Sequence, residues 1–262
     1  MRDDRIDRPD SGRHLPGVEP GGDRPIVRTR IDGYTCHIAY PLSEDESRQL
    51  VVSLATPAVA RAVPPNGGAL NGRAAIWRHE IPSVGSVVIK EYRRGGMLRF
   101  FRRRHYLRVS TTRPEREFHN LRIARAAGLN VPDPVASISR GALFYRGWLA
   151  TRFIHGRNLV DLVTADPGAL PALMEDLTRQ VGLLVRNRIA HVDLHPGNVL
   201  VGEAGGIYLL DFDRAVIFNK PIEELRQHYE VRWRRAVEKH GLPAVLADRF
   251  SEGLSRLSLP GD

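Results

Sequence analysis

The chain has 262 residues, a formal net charge of +9, 42% hydrophobic residues and a single cysteine, Cys36, which excludes an intramolecular disulfide. That length and apolar content suit one two-lobed domain or two small ones. The charge points to anionic partners: nucleic acid, an anionic membrane surface or a polyanionic substrate.

In chain order, residues 1–25 mix Arg, Asp, Pro and Gly with few apolar residues and read as a disordered tail. No apolar core of a secretory signal is present there, and no run approaches the roughly 18 apolar residues of a membrane-spanning helix. A cytoplasmic protein, soluble or peripheral to a membrane, is expected. Some order begins between Ile26 and Tyr40. Ser43 ahead of Glu44, Asp45 and Glu46 predicts a helix to about Ala62, ended or kinked at Pro57. Pro64-Pro65-Asn66-Gly67-Gly68 is a turn, with strands predicted at Ala74–His79 and Ser86–Tyr92. A helix is predicted over Pro114–Ala127, with proline in its first turn and Gly128 beyond its end. Pro132 and Pro134 then interrupt the chain before a strand region at Leu143–Phe153. Beyond His155 a helix starts at Asn158 or Asp161. Leu173, Leu177, Val181 and Leu184 mark an amphipathic helix over Leu170–Arg188. Strands Val199–Val201 and Ile207–Leu210 follow, and an Arg-rich helical region runs from Pro221 to Leu257. The expected architecture is α+β and bilobal. A β-rich N-lobe spans residues 26–154, an α-rich C-lobe spans residues 155–262, and nucleotide lies between them.

The most informative stretch runs from Ile189 to Val201. His191-Val192-Asp193 is followed five residues after Asp193 by Asn198, and thirteen residues later by Asp211 at the end of a strand. Phosphoryl transfer needs a carboxylate beside the acceptor hydroxyl and hard oxygen ligands for the Mg²⁺ that bridges the phosphates of ATP. Asp193 is the candidate base, Asn198 and Asp211 the candidate metal ligands, and His191 a brace for the loop. A lone HxD is commonplace in polar loops, whereas the whole set in this order is specific to a protein-kinase-like fold. His191, Asp193 and His195 could instead suggest a zinc or iron site, but the asparagine and the downstream aspartate argue for Mg²⁺.

Upstream, Val87-Val88-Ile89-Lys90 places a lysine at a strand end, where its ammonium would meet the α- and β-phosphates. Only three of the 39 basic residues are lysines, and Lys90 is the first of them. Arginine is the default in this chain, so a retained lysine suggests a need for a compact ammonium. Glu115 and Glu117 are both candidates to pair with it. Glu117 lies deeper in the predicted helix and is preferred. Gly67, Gly68 and Gly72 could turn backbone N–H groups toward phosphate, although a plain hairpin fits them equally well. Thr151 and Phe153 fall where an interlobe linker would meet adenine. From Tyr92 to Arg108, arginines alternate with apolar and aromatic residues. That pattern suits an anionic lipid, RNA or a solvated loop.

Tyr92-Arg93-Arg94-Gly95-Gly96, Glu117-Phe118, Ala126 through Pro134, and His191-Val192-Asp193-Leu194 through Asp211-Phe212-Asp213-Arg214 together resemble the 3-deoxy-D-manno-octulosonic acid (Kdo) kinases of the lipopolysaccharide kinase family, over about residues 65–220. The resemblance implies ATP- and Mg²⁺-dependent phosphorylation of a Kdo hydroxyl on a lipid A-type glycolipid in lipopolysaccharide core biosynthesis. It also implies a location at the cytoplasmic face of the inner membrane. Asp193-Leu194-His195-Pro196-Gly197-Asn198 departs from the filling expected in those kinases and also occurs in other atypical kinases. An acceptor of another kind, or a role in tRNA modification, is the alternative. Nucleic acid is the less expected partner.

Overall fold

Along Gly85–Glu91 the side chains of Val87, Ile89 and Glu91 are buried while those between them are partly exposed, the period of two that defines a half-buried strand. The structure is a computed structural model and describes residues 24–55, 75–92, 106–107 and 111–257. Residues 1–23 of the tail predicted over residues 1–25, the turn from Pro64 to Gly68 and most of the basic stretch from Tyr92 to Arg108 lie outside those residues.

Seven strands form one antiparallel sheet: β1 (Val27–Ile31), β2 (Tyr34–Ile38), β3 (Ala75–Ile81), β4 (Gly85–Glu91), β5 (Tyr106–Leu107), β6 (Pro134–Arg140) and β7 (Phe144–Arg152). The order is β1-β2-β6-β7-β4-β3, with β5 also paired to β7. Lys90 pairs with Leu149 on β7 and Ile76 on β3, so its strand is held on both sides. The prolines before β6 do not prevent a strand there. Pro134 is its first residue, where a missing N–H is tolerated. Six of the seven residues of β6 are buried, so the alternation that would have revealed the strand is absent.

Two helices belong to this part: α1 (Glu44–Ala55) and α2 (Arg113–Ala126). In α2, Thr112 and Glu115 form a reciprocal capping box, Pro114 occupies the first turn, and Gly128 follows with φ +82°. Phe118, Leu121 and Ala124 press this helix onto β6 and β7.

The C-terminal part is helical: α3 (Leu159–Ala165), α4 (Leu170–Arg186), α5 (Ile222–Lys239) and α6 (Val245–Ser255). The predicted helix over Leu170–Arg188 is α4, with Leu173, Leu177, Val181 and Leu184 buried. The predicted helical region to Leu257 is two helices, parted at Gly241 and Pro243. Trp233 and Phe250 stack between them with centroids 4.6 Å apart. The short strand β8 (Gly156–Asn158) leads into α3, and β9 (Ile189–Ala190), β10 (Val199–Gly202), β11 (Ile207–Leu209) and β12 (Val216–Ile217) carry the loops between α4 and α5. A Cβ on Gly156 would lie 2.2 Å from Val201 O, so only glycine allows β8 to approach β10 this closely. An antiparallel sheet followed by this helical part is the expected α+β, kinase-like fold. Among the described residues, no helix is long and apolar enough to cross a membrane.

Candidate active site

Three elements converge on one ammonium group. Lys90 Nζ, at the end of β4, lies 3.0 Å from Glu117 Oε2 on α2 and 2.7 Å from Asp211 Oδ1 just beyond β11. The Tyr92 hydroxyl also donates to Glu117 Oε2, and the glutamate is almost wholly buried. Burial disfavours the Lys90 charge, but Glu117 and Asp211 outweigh it and hold its pKa above the ordinary value. Burial pushes Glu117 up, with Lys90 opposing. Partial burial pushes Asp211 up, yet Lys90 outweighs it and holds the carboxyl below the usual carboxylate range. Of the two glutamates considered from sequence, Glu117 is the one against Lys90. Glu115 instead closes the capping box and faces His37 Nδ1 at 3.2 Å.

The four residues from Asp211 to Arg214 point in different directions. Asp211 adopts φ +67°, a left-handed conformation that aspartate tolerates better than most residues. Phe212 is fully buried and meets the His191 ring edge-on at 4.5 Å. Asp213, also buried, pairs with Arg113 at the start of α2, while its carbonyl accepts from Arg116 Nε at 2.9 Å. Arg214 Nη1 reaches Asp193 Oδ2 at 3.2 Å. From α2, Asn120 Nδ2 donates to Phe212 O at 2.8 Å and Ala215 O at 3.0 Å.

The loop between β9 and β10 holds the other predicted site residues. Burial pushes the His191 pKa down, so the ring is neutral near pH 7. Its Nε2 lies 2.8 Å from Leu210 O, and a carbonyl can only accept, which fixes the proton on Nε2. The His191 amide donates to the Tyr229 hydroxyl, which donates onward to Ile189 O. Asn198 Nδ2 donates to Asp193 O at 2.9 Å, leaving its amide oxygen on the other side. Asn198 O in turn accepts from Leu210 N at 2.9 Å, which ties the loop to the residue before Asp211. A carboxylate at Asp211 and an amide oxygen at Asn198 are hard donors of the kind Mg²⁺ takes, so the residues present fit that ion.

Asp193 lies between two guanidinium groups, Arg214 and Arg232 Nη2, the latter 2.7 Å from Oδ1. Beside it opens a groove of about 610 Å³ lined largely by α5. His195 lines it as well. Burial, with Arg232 adding to it, keeps its pKa low, and its Nδ1 accepts from Gly197 N. His191, Asp193 and His195 are thus each engaged elsewhere and do not converge as zinc ligands. Among the described residues, the His and carboxylate donors that do converge are those of His37, Glu115 and His119, all within 4.8 Å of one another.

Thr151 sits on β7 opposite Val88, two residues along the strand from Leu149, the partner of Lys90. The amides of Arg152 and Phe153 donate to Asp133 O and Ser86 O, and Arg78 covers the Phe153 ring. Gly67, Gly68 and Gly72 lie outside the described residues. Sequence reasoning missed Tyr92 as a holder of Glu117, gave Arg214 no role beyond its place in the family resemblance, and missed Asn120 and Arg232. For Asn120 a signal existed: a poor helix former between Phe118 and Leu121 in a helix interior asks for a buried partner.

The sequence model of the lipopolysaccharide kinase (Kdo/WaaP) family matches residues 67–241, a span that contains Lys90, Glu117, His191, Asp193, Asn198 and Asp211. The chain is 31% identical over 198 residues to the 3-deoxy-D-manno-octulosonic acid kinase of Xylella fastidiosa (strain M23), covering 73% of this chain and 77% of that protein. It is 33% identical over 183 residues to the protein of that name from Xanthomonas campestris pv. campestris (strain B100), covering 68% and 71%. With the one from Vibrio vulnificus (strain CMCP6) it shares 31% identity over 155 residues, covering 56% of this chain and 63% of that relative, less than two thirds of its length.

Proposed function

This chain belongs to the lipopolysaccharide kinase (Kdo/WaaP) family, and on that premise we propose that it transfers the γ-phosphoryl group of ATP to a Kdo hydroxyl of a lipid A-type glycolipid, at the cytoplasmic face of the inner membrane. The observation that carries this reading is Lys90 held between Glu117 and Asp211, with Asp193 and Asn198 on the adjoining loop. ATP enters between the sheet and the helical part, with adenine near Thr151 and Phe153 and phosphates toward Lys90. The loop carrying Gly67, Gly68 and Gly72 would cover them.

Lys90 is kept charged by its two carboxylates and offers that charge to the α- and β-phosphates. Asn198 and Asp211 would hold Mg²⁺, which neutralises phosphate charge when bound. Asp193 orients the acceptor hydroxyl and takes its proton as the oxygen attacks the γ-phosphorus. The new O–P bond forms as the bond from the γ-phosphorus to the bridging oxygen breaks, and ADP leaves with that electron pair. His191, neutral and fixed on Leu210 O, keeps the loop from moving relative to Asp211. The net charge of +9 supports attraction to an anionic membrane surface.

The test is transfer of radiolabel from ATP·Mg²⁺ to Kdo-lipid IVA, with lipid IVA lacking Kdo, tRNA and an aminoglycoside in parallel. Label on the Kdo glycolipid alone is expected, and label on another acceptor instead overturns the substrate. Asp193→Asn is expected to abolish transfer while ATP·Mg²⁺ still binds. Transfer that survives removes Asp193 from the role of base.

A further inference from the structure

Helix α5 has two faces of opposite character. Leu225, Tyr229, Trp233 and Val237 recur every four residues and are buried. On the other side, Arg232, Arg235 and Lys239 line the groove beside Asp193, joined by Lys220 from the segment before the helix. These residues lie three, four and seven apart, the spacing of one helical face. Glu224 and Asp193 are the acidic residues of the lining. Two of the three lysines in an arginine-dominated chain therefore stand in this groove, and the third is Lys90. Neither Lys220 nor Lys239 has an ion pair among the described residues. Of the four cations lining the groove, Arg232 reaches Asp193, at 2.7 Å.

Four like charges around one concavity repel one another, and two carboxylates neutralise them only in part. An anion of matching size relieves that repulsion and gains charge-assisted hydrogen bonds. We propose that this groove is the acceptor subsite for a second anionic group, a carboxylate or a phosphate borne by the acceptor, held by Arg232, Arg235, Lys239 and Lys220. Holding that group at the α5 end of the groove places the reacting hydroxyl at Asp193. The anion also competes with Asp193 for Arg232 and so draws the guanidinium away from the carboxylate as the acceptor seats. The proposal rests on the kinase reading above. It locates acceptor recognition on α5 rather than on the basic stretch between Tyr92 and Arg108.

Arg235 and Lys239 are exposed, so Arg235→Gln and Lys239→Gln will fold, as melting curves would check. Three acceptors are compared: Kdo-lipid IVA, the same glycolipid with the Kdo carboxyl reduced to an alcohol, and the same glycolipid without its phosphates. With the intact acceptor each variant should raise the acceptor KM about tenfold or more, the scale of a lost hydrogen bond to a charged group, without raising the KM for ATP. Arg235→Lys should recover part of the loss. Wild type should show the same rise with whichever modified acceptor lacks the group that binds, and the variants should lose nothing further on that acceptor. An unchanged acceptor KM in the variants overturns the subsite. So does an equal rise on all three acceptors. If wild type phosphorylates no Kdo glycolipid, the Kdo-acceptor reading fails on its own. Calorimetric titration with free Kdo and with inorganic pyrophosphate then decides the subsite, which requires binding by wild type that is weakened in both variants. No binding, or equal binding by all three proteins, overturns it.

Discussion

Asn120→Ala tests whether α2 positions Asp211 from a distance. The side chain is buried, and its Nδ2 bonds two carbonyls, Phe212 O at 2.8 Å and Ala215 O at 3.0 Å. Phe212 O keeps a bond from Ala215 N at 3.1 Å, so its loss is one net hydrogen bond, about 0.5–1.5 kcal/mol. Ala215 O loses its Asn120 donor in a buried setting, which costs about 1–3 kcal/mol. The better helix propensity of alanine offsets roughly 0.5 kcal/mol of this. The net is about 1–4 kcal/mol, and near the middle of that range the melting temperature falls by about 5–10 °C for a chain of this size. Phe212 directly follows Asp211, so the loosened segment should also lower kcat, by tenfold for each roughly 1.4 kcal/mol of positioning lost. The KM for ATP should move less, because Lys90 and Glu117 are held by other bonds. Thermal melts and steady-state kinetics, run well below the melting point, separate the two effects. A lowered melting temperature with wild-type kcat would refute the positioning, and unchanged values of both would refute the hydrogen-bond accounting.

Three further outcomes are expected. Lys90→Arg keeps the charge but replaces one compact ammonium, 3.0 and 2.7 Å from its two carboxylates, by a broad planar fork. The KM for ATP should rise about tenfold or more in a folded protein, and a wild-type KM would show that charge alone suffices. Burial in β2 pushes the Cys36 thiol up to about 11, so iodoacetamide at neutral pH should modify it only in denaturant. Rapid modification of the native protein would mean that β2 opens readily. Hydrogen bonds from the Ser43 and Ser83 amides bring the Glu46 carboxyl down to about 2 from an ordinary 4.5, tying α1 to the turn between β3 and β4. A depressed folded-state pKa stabilises the fold above pH 4.5, and that contribution disappears as pH falls through about 2. The stability difference between wild type and Glu46→Gln in urea melts should therefore shrink across that window, and a constant difference would contradict the assignment.

The parts of this molecule that were legible in the sequence are those with a local signature. Val87 and Ile89 leading to Lys90, the leucine spacing of α4, and Asp193 followed by Asn198 and Asp211 each carry their pattern within one local stretch of chain. What escaped depends on contacts between distant segments. Strand β6 is buried throughout, so it lacks alternation, and it begins with a proline that normally signals a break. Tyr92 precedes an arginine run and reads as part of it, yet its hydroxyl holds Glu117 twenty-five residues away. The basic face of α5 was visible as arginines in a helix. Only the fold shows that Leu225, Tyr229, Trp233 and Val237 fix which way that face turns, and that it turns toward Asp193.

The segment from Asp211 to Arg214 explains why these distant contacts matter together. Its side chains engage Lys90 on β4, His191 on the loop between β9 and β10, Arg113 on α2 and Asp193 itself, in that order. Each contact fixes the segment relative to a different element, and no one of them can shift without disturbing the backbone that carries the others. Asn198 O on Leu210 N and Asn120 on Phe212 O hold the same backbone from two further sides. In the proposed mechanism, Lys90, Asp211 and Asp193 must be placed relative to one another to within fractions of an ångström. A single short segment that contacts all of them makes their relative positions one variable rather than three. The site is therefore best regarded as one cooperative unit, in which the energetic effects of neighbouring substitutions are coupled rather than additive.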